Sequence, residues 1–477
     1  MKSFIDRADR KAFSEEDVNP LQHTAFQLQQ SGQIDQACTL YEQAHREMVE
    51  RETETETGTE REMDSSGTNS KQLDIVTSDY GQMLEICCRH DDAITLLRSS
   101  LEMYALPQPS LCSVLLLKLL YIHPGLRTIT EWNEMDKLYK DIKAASNSAK
   151  KTFKLQYKSH WAYFIMIQEI FQRERRSTPG RMKLVRGKKD EYVPRHSSSS
   201  LSSSSSASSA SSASSAGAQK KDAPPLFFVG DSHIVPLAHR RLLNRISRPF
   251  VTTGLKAWHV HRGNTFFTGA NFIRALQIID EKEFIDDVVI SAGEIDCRET
   301  FQSLVSSFTV SKHEIDSRRG QKYPNEEIAI AKTVQAYVTA LMNILLLLKN
   351  INVMYVMPVL PYPKKAKKDQ NRDRRRMSII MWNNVLQKTI HDAMQKRMGK
   401  MNGEDGKDGM ETLETKMSDL TVNVKKKKRM LYLNLSDEML EKGGVLRDEL
   451  SLDGTHGNAK TLPYVEDAIA RCNIYHM

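Results

Sequence analysis

Paired cysteines are what this sequence most plainly lacks. Cys38, Cys87, Cys88, Cys112, Cys297 and Cys472 make no C-x-x-C pair, and no His-Cys cluster has metal-ligand spacing. A disulfide framework is therefore not expected, and a reducing compartment is. An apolar leader is missing too: Met1-Lys2-Ser3-Phe4-Ile5-Asp6-Arg7 carries charges where a signal peptide needs an apolar core. Long apolar runs are absent. The best, Leu341 to Leu348, stops at Lys349-Asn350, so no membrane span is expected. Nor does one charge dominate: 68 basic and 60 acidic residues leave a net charge of +8. That excess implies solubility and weak attraction to anions, and it does not indicate nucleic-acid binding. The expected location is cytoplasmic, with the basic runs leaving room for nuclear entry.

What is present divides the chain. Its 477 residues predict two to four domains, and hydrophobic content is only 40% because three polar stretches dilute it. Residues 1–18 are polar and expected to be disordered. Residues 19–175 carry helical periodicity, starting at Asn19-Pro20, a cap followed by a first-turn proline. Residues 176–223 read as a linker: a basic stretch, Arg181 to Lys189, leads into nearly pure serine from Ser197 to Ser215. From Pro224 onward, short apolar runs alternate with helical patterns.

Within the first half, Ala25, Leu28, Gly32, Ala37, Tyr41 and Ala44 trace a tight helical hairpin that turns at residues 31–35. Gly81, Leu84, Ala93, Leu97 and Ser100 repeat the arrangement, and Ala37 and Ala93 lie 56 residues apart. The pattern resembles a tetratricopeptide repeat, whose period is about 34 residues. The surplus falls in residues 51–71, a Thr/Glu/Ser/Gly-rich tract expected to be a disordered insertion. The usual Trp is absent, and so is the turn glycine of the second copy. Residues 109–175 continue as helix. The resemblance implies an all-α helical-repeat domain that recruits a protein partner.

The second half predicts strands at 226–229, 249–253, 287–292, 352–357 and 430–433, with helices around 234–246, 272–280, 326–348 and 379–397. Alternation of this kind predicts an α/β domain over residues 224–477, with a parallel sheet covered on both faces. Basic or Gly/Asp/Lys-rich loops are expected at 364–376 and 399–428.

Three polar islands sit at expected strand ends or just before the last helix: Gly230-Asp231-Ser232-His233, Gly293-Glu294-Ile295-Asp296-Cys297-Arg298 and Asp453-Gly454-Thr455-His456-Gly457-Asn458. Strand ends of one parallel sheet meet at one edge, where such folds bind ligands. Asp453 and His456 are spaced so that the carboxylate can orient the imidazole, which in turn can deprotonate Ser232.

By motif and order, residues 224–477 resemble the SGNH (GDSL-like) hydrolase superfamily. The resemblance implies a three-layer αβα fold and a serine esterase or acyl hydrolase without a cofactor. Its substrate would be an ester-containing small molecule or a glycan bearing O-acyl groups. Ser232 takes the place of the nucleophile, His456 of the base and Asp453 of the orienting carboxylate. Gly293, Glu294 and Asp296 fit the third block, but Ile295 stands where the family has an asparagine that donates to the oxyanion. Remaining donors would be the backbone N–H of Ser232 and that of Gly254, with Gly263-Asn264 as a substitute. Asp296 and Arg298 are alternatively a buried pair shaping the pocket. Because of Ile295, a catalytically weak or inactive binding module in an adaptor is the rival expectation. His233, His259 and His261 have no acidic or cysteine partner at ligand spacing, and no metal is expected. His259 and His261 are expected to alternate along a strand. Trp258 beside them is expected to cap the core or to meet a sugar ring.

Overall fold

The computed structural model describes residues 19–57, 66–107, 109–125, 127–156, 158–176, 223–261, 266–282, 285–300, 325–362, 372–404, 428–435, 437–441, 445–452 and 456–474. The expected disordered N-terminus and serine-rich linker lie outside these residues, apart from Arg176 and Ala223.

The first half is helical: α1 (Pro20–Gln30), α2 (Ile34–Thr57), α3 (Ser66–Ile86), α4 (His90–Met103), α5 (Leu111–Ile122), α6 (Ile129–Gln156) and α7 (Lys158–Arg176). Asn19 caps α1 by accepting from the Leu21 N–H at 2.9 Å, with Pro20 in the first turn. The α1–α2 turn uses Gly32 at φ 81°, and the α3–α4 turn uses Cys88 at φ 59°. The second hairpin thus places a cysteine at the left-handed position that glycine holds in the first. Gly81 lies where helices touch: a Cβ there would stand 3.3 Å from Leu97 and Leu115 side-chain atoms. The tract expected as a disordered insertion is entered from both sides, since α2 runs to Thr57 and α3 starts at Ser66.

The second half contains β1 (Leu226–Gly230), β2 (Arg241–Leu242), β3 (Arg245–Val251), α8 (Phe267–Lys282), β4 (Asp287–Ser291), α9 (Glu326–Leu347), β5 (Val353–Val356), α10 (Arg372–Glu404), β6 (Arg429–Tyr432), β7 (Leu440–Glu441), β8 (Val445–Leu446) and α11 (Leu462–Ile474). The main sheet has the order β2-β3-β1-β4-β5-β6, and only β2 is antiparallel. The chain reverses direction across the sheet between β1 and β4. The crevice at their carboxyl ends is the switch point, where open α/β sheets hold ligands.

The structure departs from the sequence expectations in several places. Residues 234–246 do not form a helix. Ser232–Leu237 is a 3₁₀ turn containing Pro236, and β2 and β3 form a hairpin whose two-residue loop, Leu243-Asn244, has φ of 49° and 61°. Such loops favour glycine or asparagine at positive φ, so a leucine there does not advertise the turn. The basic loop at 364–376 also turns helical at its end, because α10 begins at Arg372. At the 399–428 loop, α10 continues to Glu404, and Lys428 donates to the carbonyls of Leu348 and Ile351 at 2.7 Å, closing the end of α9. Helix α9 also exceeds the expectation that no apolar segment approaches a span. It is long and apolar enough to cross a membrane, but it is half buried against the fold, as a core helix is.

Strand residues alternate between two faces. Phe227, Val229, Ile290, Met354 and Met430 join α8, α9 and α10 in one core. Leu226, Phe228, Val289, Tyr355 and Leu431 point the other way, and on that side the cover is α11, the 3₁₀ turn and the N-terminal helices. Helical region and sheet therefore share one continuous core. Every residue of α5 is buried, so this helix is enclosed on all sides. Polar contacts seal the joint. His239 Nε2 donates to the Tyr121 carbonyl at 2.6 Å while its ring meets Trp132 edge-on, and Arg173 donates to the Leu452 carbonyl at 2.7 Å.

His90 meets Phe250 edge-on across the same joint, and burial pushes both His90 and His239 from 6.5 down to about 3. Folded, both stay neutral; unfolded, both take a proton near 6.5. Their contribution to stability is therefore complete above 6.5 and is lost as pH falls toward 3. The expected outcome is a thermal midpoint that drops between pH 7 and pH 5, because in that window each histidine takes up a proton only in the unfolded chain. His239→Gln, which keeps a donor for Tyr121 but cannot titrate, should flatten the drop in a melting series.

Candidate active site

The Gly230-Asp231-Ser232-His233 stretch is built by sheet geometry. At the end of β1 a Cβ on residue 230 would lie 2.0 Å from the Ser291 carbonyl oxygen of β4, so only glycine permits the strands to meet there. Asp231 then caps the 3₁₀ turn, accepting from the His233 N–H at 3.0 Å. Ser232 is thereby held at the mouth of the crevice, half buried.

His456 comes from a loop closed by a bridge between Ser451 and Gly457, just before α11. Leu452 N–H donates to the His456 carbonyl at 2.7 Å, and Asn458 Nδ2 donates to the carbonyls of Glu449 and Ser451 at 2.6 and 3.0 Å. The loop delivers His456 Nε2 to 2.9 Å from Ser232 Oγ, across 224 residues of sequence. Asp453 and Asn264 lie outside the described residues.

The structure brings the second island, Gly293 to Arg298, to the same edge, with varied roles. Gly293 has φ 114°, and a Cβ there would collide with the Trp382 ring. Glu294 is buried, hydrogen-bonded by the Tyr362 hydroxyl, with Arg298 Nη1 at 3.5 Å. Burial, and then that carboxylate, push the Tyr362 phenol above its ordinary range. Asp296 is fully buried and accepts from the Ala257 N–H at 2.7 Å, so it fastens the loop after β3. Arg298 is partly exposed and pairs with Glu294. Ile295 is buried and supplies no donor from its side chain.

Gly254, at φ 74°, follows the end of β3, beside β1 in the sheet. Its neighbour Thr253 is gripped by the helical region. Lys118 Nζ lies 2.8 Å from Glu85 Oε2 and donates to Thr253 Oγ1 at 3.2 Å; Thr253 Oγ1 in turn donates to Glu85 Oε1 at 3.2 Å. Tyr163 donates to Thr253 Oγ1 at 3.2 Å, under the Lys118 ammonium at 4.6 Å from its ring. Sequence reading missed this cluster, because nothing in the residues 118 and 253 marks them as neighbours. It also missed the Asp231–His233 pair, although the two are adjacent to the serine.

His259 and His261 do not alternate on a strand. Ala257–Val260 is a 3₁₀ turn in which His259 is buried beside Thr268 Oγ1 at 2.6 Å, while His261 stacks on the half-buried Trp258 at 5.1 Å. Among the described residues no group of three or more His, Cys, Asp or Glu is arranged to hold a metal. No family model matches the chain, and no curated protein matches it in sequence.

Lys118 and Glu85 are both almost fully enclosed, so removing one strands the other. Lys118→Ala is expected to cost about 3–5 kcal/mol in denaturant unfolding. The double variant Lys118→Met with Glu85→Leu, which removes both charges and keeps volume, should recover most of that loss.

Proposed function

We propose that residues 224–477 form an SGNH-like serine hydrolase acting on an ester, with an O-acylated carbohydrate as one substrate class. The observation that carries this reading is the 2.9 Å contact between Ser232 Oγ and His456 Nε2 at the switch-point edge of the sheet. In the proposed reaction His456 takes the hydroxyl proton as Ser232 Oγ bonds to the ester carbonyl carbon. The tetrahedral oxyanion is held by the backbone N–H groups of Ser232 and Gly254. Collapse breaks the bond to the alcohol, which leaves with the proton from His456. Water then attacks the acyl-serine, giving its proton to His456, and the acid departs as Ser232 regains its hydrogen. Asp453 is proposed to orient His456. The helical region is proposed as a tetratricopeptide-like module that recruits a protein partner; the matched left-handed turns at Gly32 and Cys88 support that reading.

A second reading is favoured by Ile295: a site with a weakened oxyanion hole that binds an ester without turning it over. Losing one oxyanion donor costs about 100- to 1,000-fold in rate. The two readings part on one experiment. The purified chain should hydrolyse p-nitrophenyl acetate and be labelled by a fluorophosphonate. Ser232→Ala should abolish labelling and lower turnover by about 10⁴-fold or more. Equal turnover by wild type and Ser232→Ala would overturn the hydrolase reading, and an unlabelled but ligand-binding wild type would establish the binding module.

A further inference from the structure

The residue after the nucleophile is an imidazole with half of its hydrogen-bonding capacity unused. His233 is 6% exposed, its Nδ1 lies 3.2 Å from Asp231 Oδ1, and its Nε2 is buried with no hydrogen-bond partner among the described residues. Its ring packs on that of His456, with centroids 4.6 Å apart. A buried N–H left unpaired costs stability, so such a group persists where another species supplies the acceptor. Among the described residues, the position where the resemblance leads one to expect a side-chain oxyanion donor is filled by Ile295, which cannot donate.

Resting on the hydrolase reading, we propose that His233 donates from Nε2 to the substrate oxygen that gains charge when Ser232 attacks, replacing the amide that Ile295 lacks. Asp231 serves as its orienter. By accepting from Nδ1–H it leaves Nε2 as the nitrogen free to donate to substrate. The charged and titratable groups facing His233 are Asp231 on its own turn, Glu294 and Arg298 from the end of β4, and His456 across the ring contact. Burial pushes the His233 imidazole down, but Asp231, through charge and hydrogen bond, outweighs it and Glu294 adds to the rise, so the group titrates at about 9. Below that pH both nitrogens carry hydrogen. Above it Nδ1 keeps its proton against Asp231, and Nε2 turns from donor to acceptor.

Two isosteric replacements separate donation to substrate from a merely structural role. In His233→Asn the amide nitrogen falls near the Nδ1 position and can still serve Asp231, but nothing reaches the Nε2 position. In His233→Gln the amide nitrogen falls near Nε2 and does not titrate. With p-nitrophenyl acetate and a fluorophosphonate as probes, and folding checked by circular dichroism, His233→Asn should lose about 100-fold in kcat and in labelling rate with KM little changed. Wild-type kcat/KM should fall above pH 9, and His233→Gln should keep rates within about 10-fold of wild type and lack that fall. Wild-type rates in folded His233→Asn, or equal losses in both variants, would overturn the proposal while leaving the hydrolase reading intact. Unchanged turnover in a parallel Ser232→Ala sample would overturn both.

Discussion

A parallel sheet cannot leave either face open to water, because strands buried on both sides carry apolar residues on both sides. Here one face is covered by α8, α9 and α10. On the other, the described residues of its own half of the chain contribute α11 and a short 3₁₀ turn. The N-terminal helices complete that cover, with α5 enclosed at the joint. This requirement explains why the two halves share a core instead of hanging on a tether, and why His239, with its backbone at positive φ, sits under the Tyr121 carbonyl.

The same joint reaches the candidate site. Thr253 lies one residue before Gly254, and its hydroxyl is fixed by Glu85, Lys118 and Tyr163 from three different helices. Asp296 fastens the loop from the opposite side through Ala257. A loop tied at both ends to buried groups is preorganised, and preorganised dipoles lose no energy to rearrangement when charge develops nearby. Gly230 contributes in another way. By letting β1 and β4 close up, it sets Ser232 and the Gly293 turn on the two sides of one crevice.

Much of this was legible in residues alone. All five parallel strands were expected within a few residues, because buried strands in such sheets are short, unbroken apolar runs. The three islands were legible as strand-end clusters, and Ser232 with His456 was a pairing the motif order proposed. The hairpin at Leu243-Asn244 was not, since its turn depends on leucine accepting a left-handed backbone while Glu466 accepts from its N–H at 3.0 Å. The histidines at 259 and 261 misled because alternation suits a strand, whereas Thr268 and Trp258 hold them in a turn.

By itself, the sequence determined the alternation that makes an α/β half, the helical first half, the glycine that β4 demands at position 230, and which side chains with catalytic chemistry lie near strand ends. Those follow from local rules: periodicity, backbone freedom and the residues that end strands. Tertiary structure alone decided which partners those side chains meet. It turned Glu294 to Tyr362, gave Thr253 to the helical region, and laid His233 against His456 with a nitrogen unpartnered among the described residues. The reason is that burial and hydrogen-bond satisfaction are settled between segments from 68 to 224 residues apart, and no local pattern carries that information.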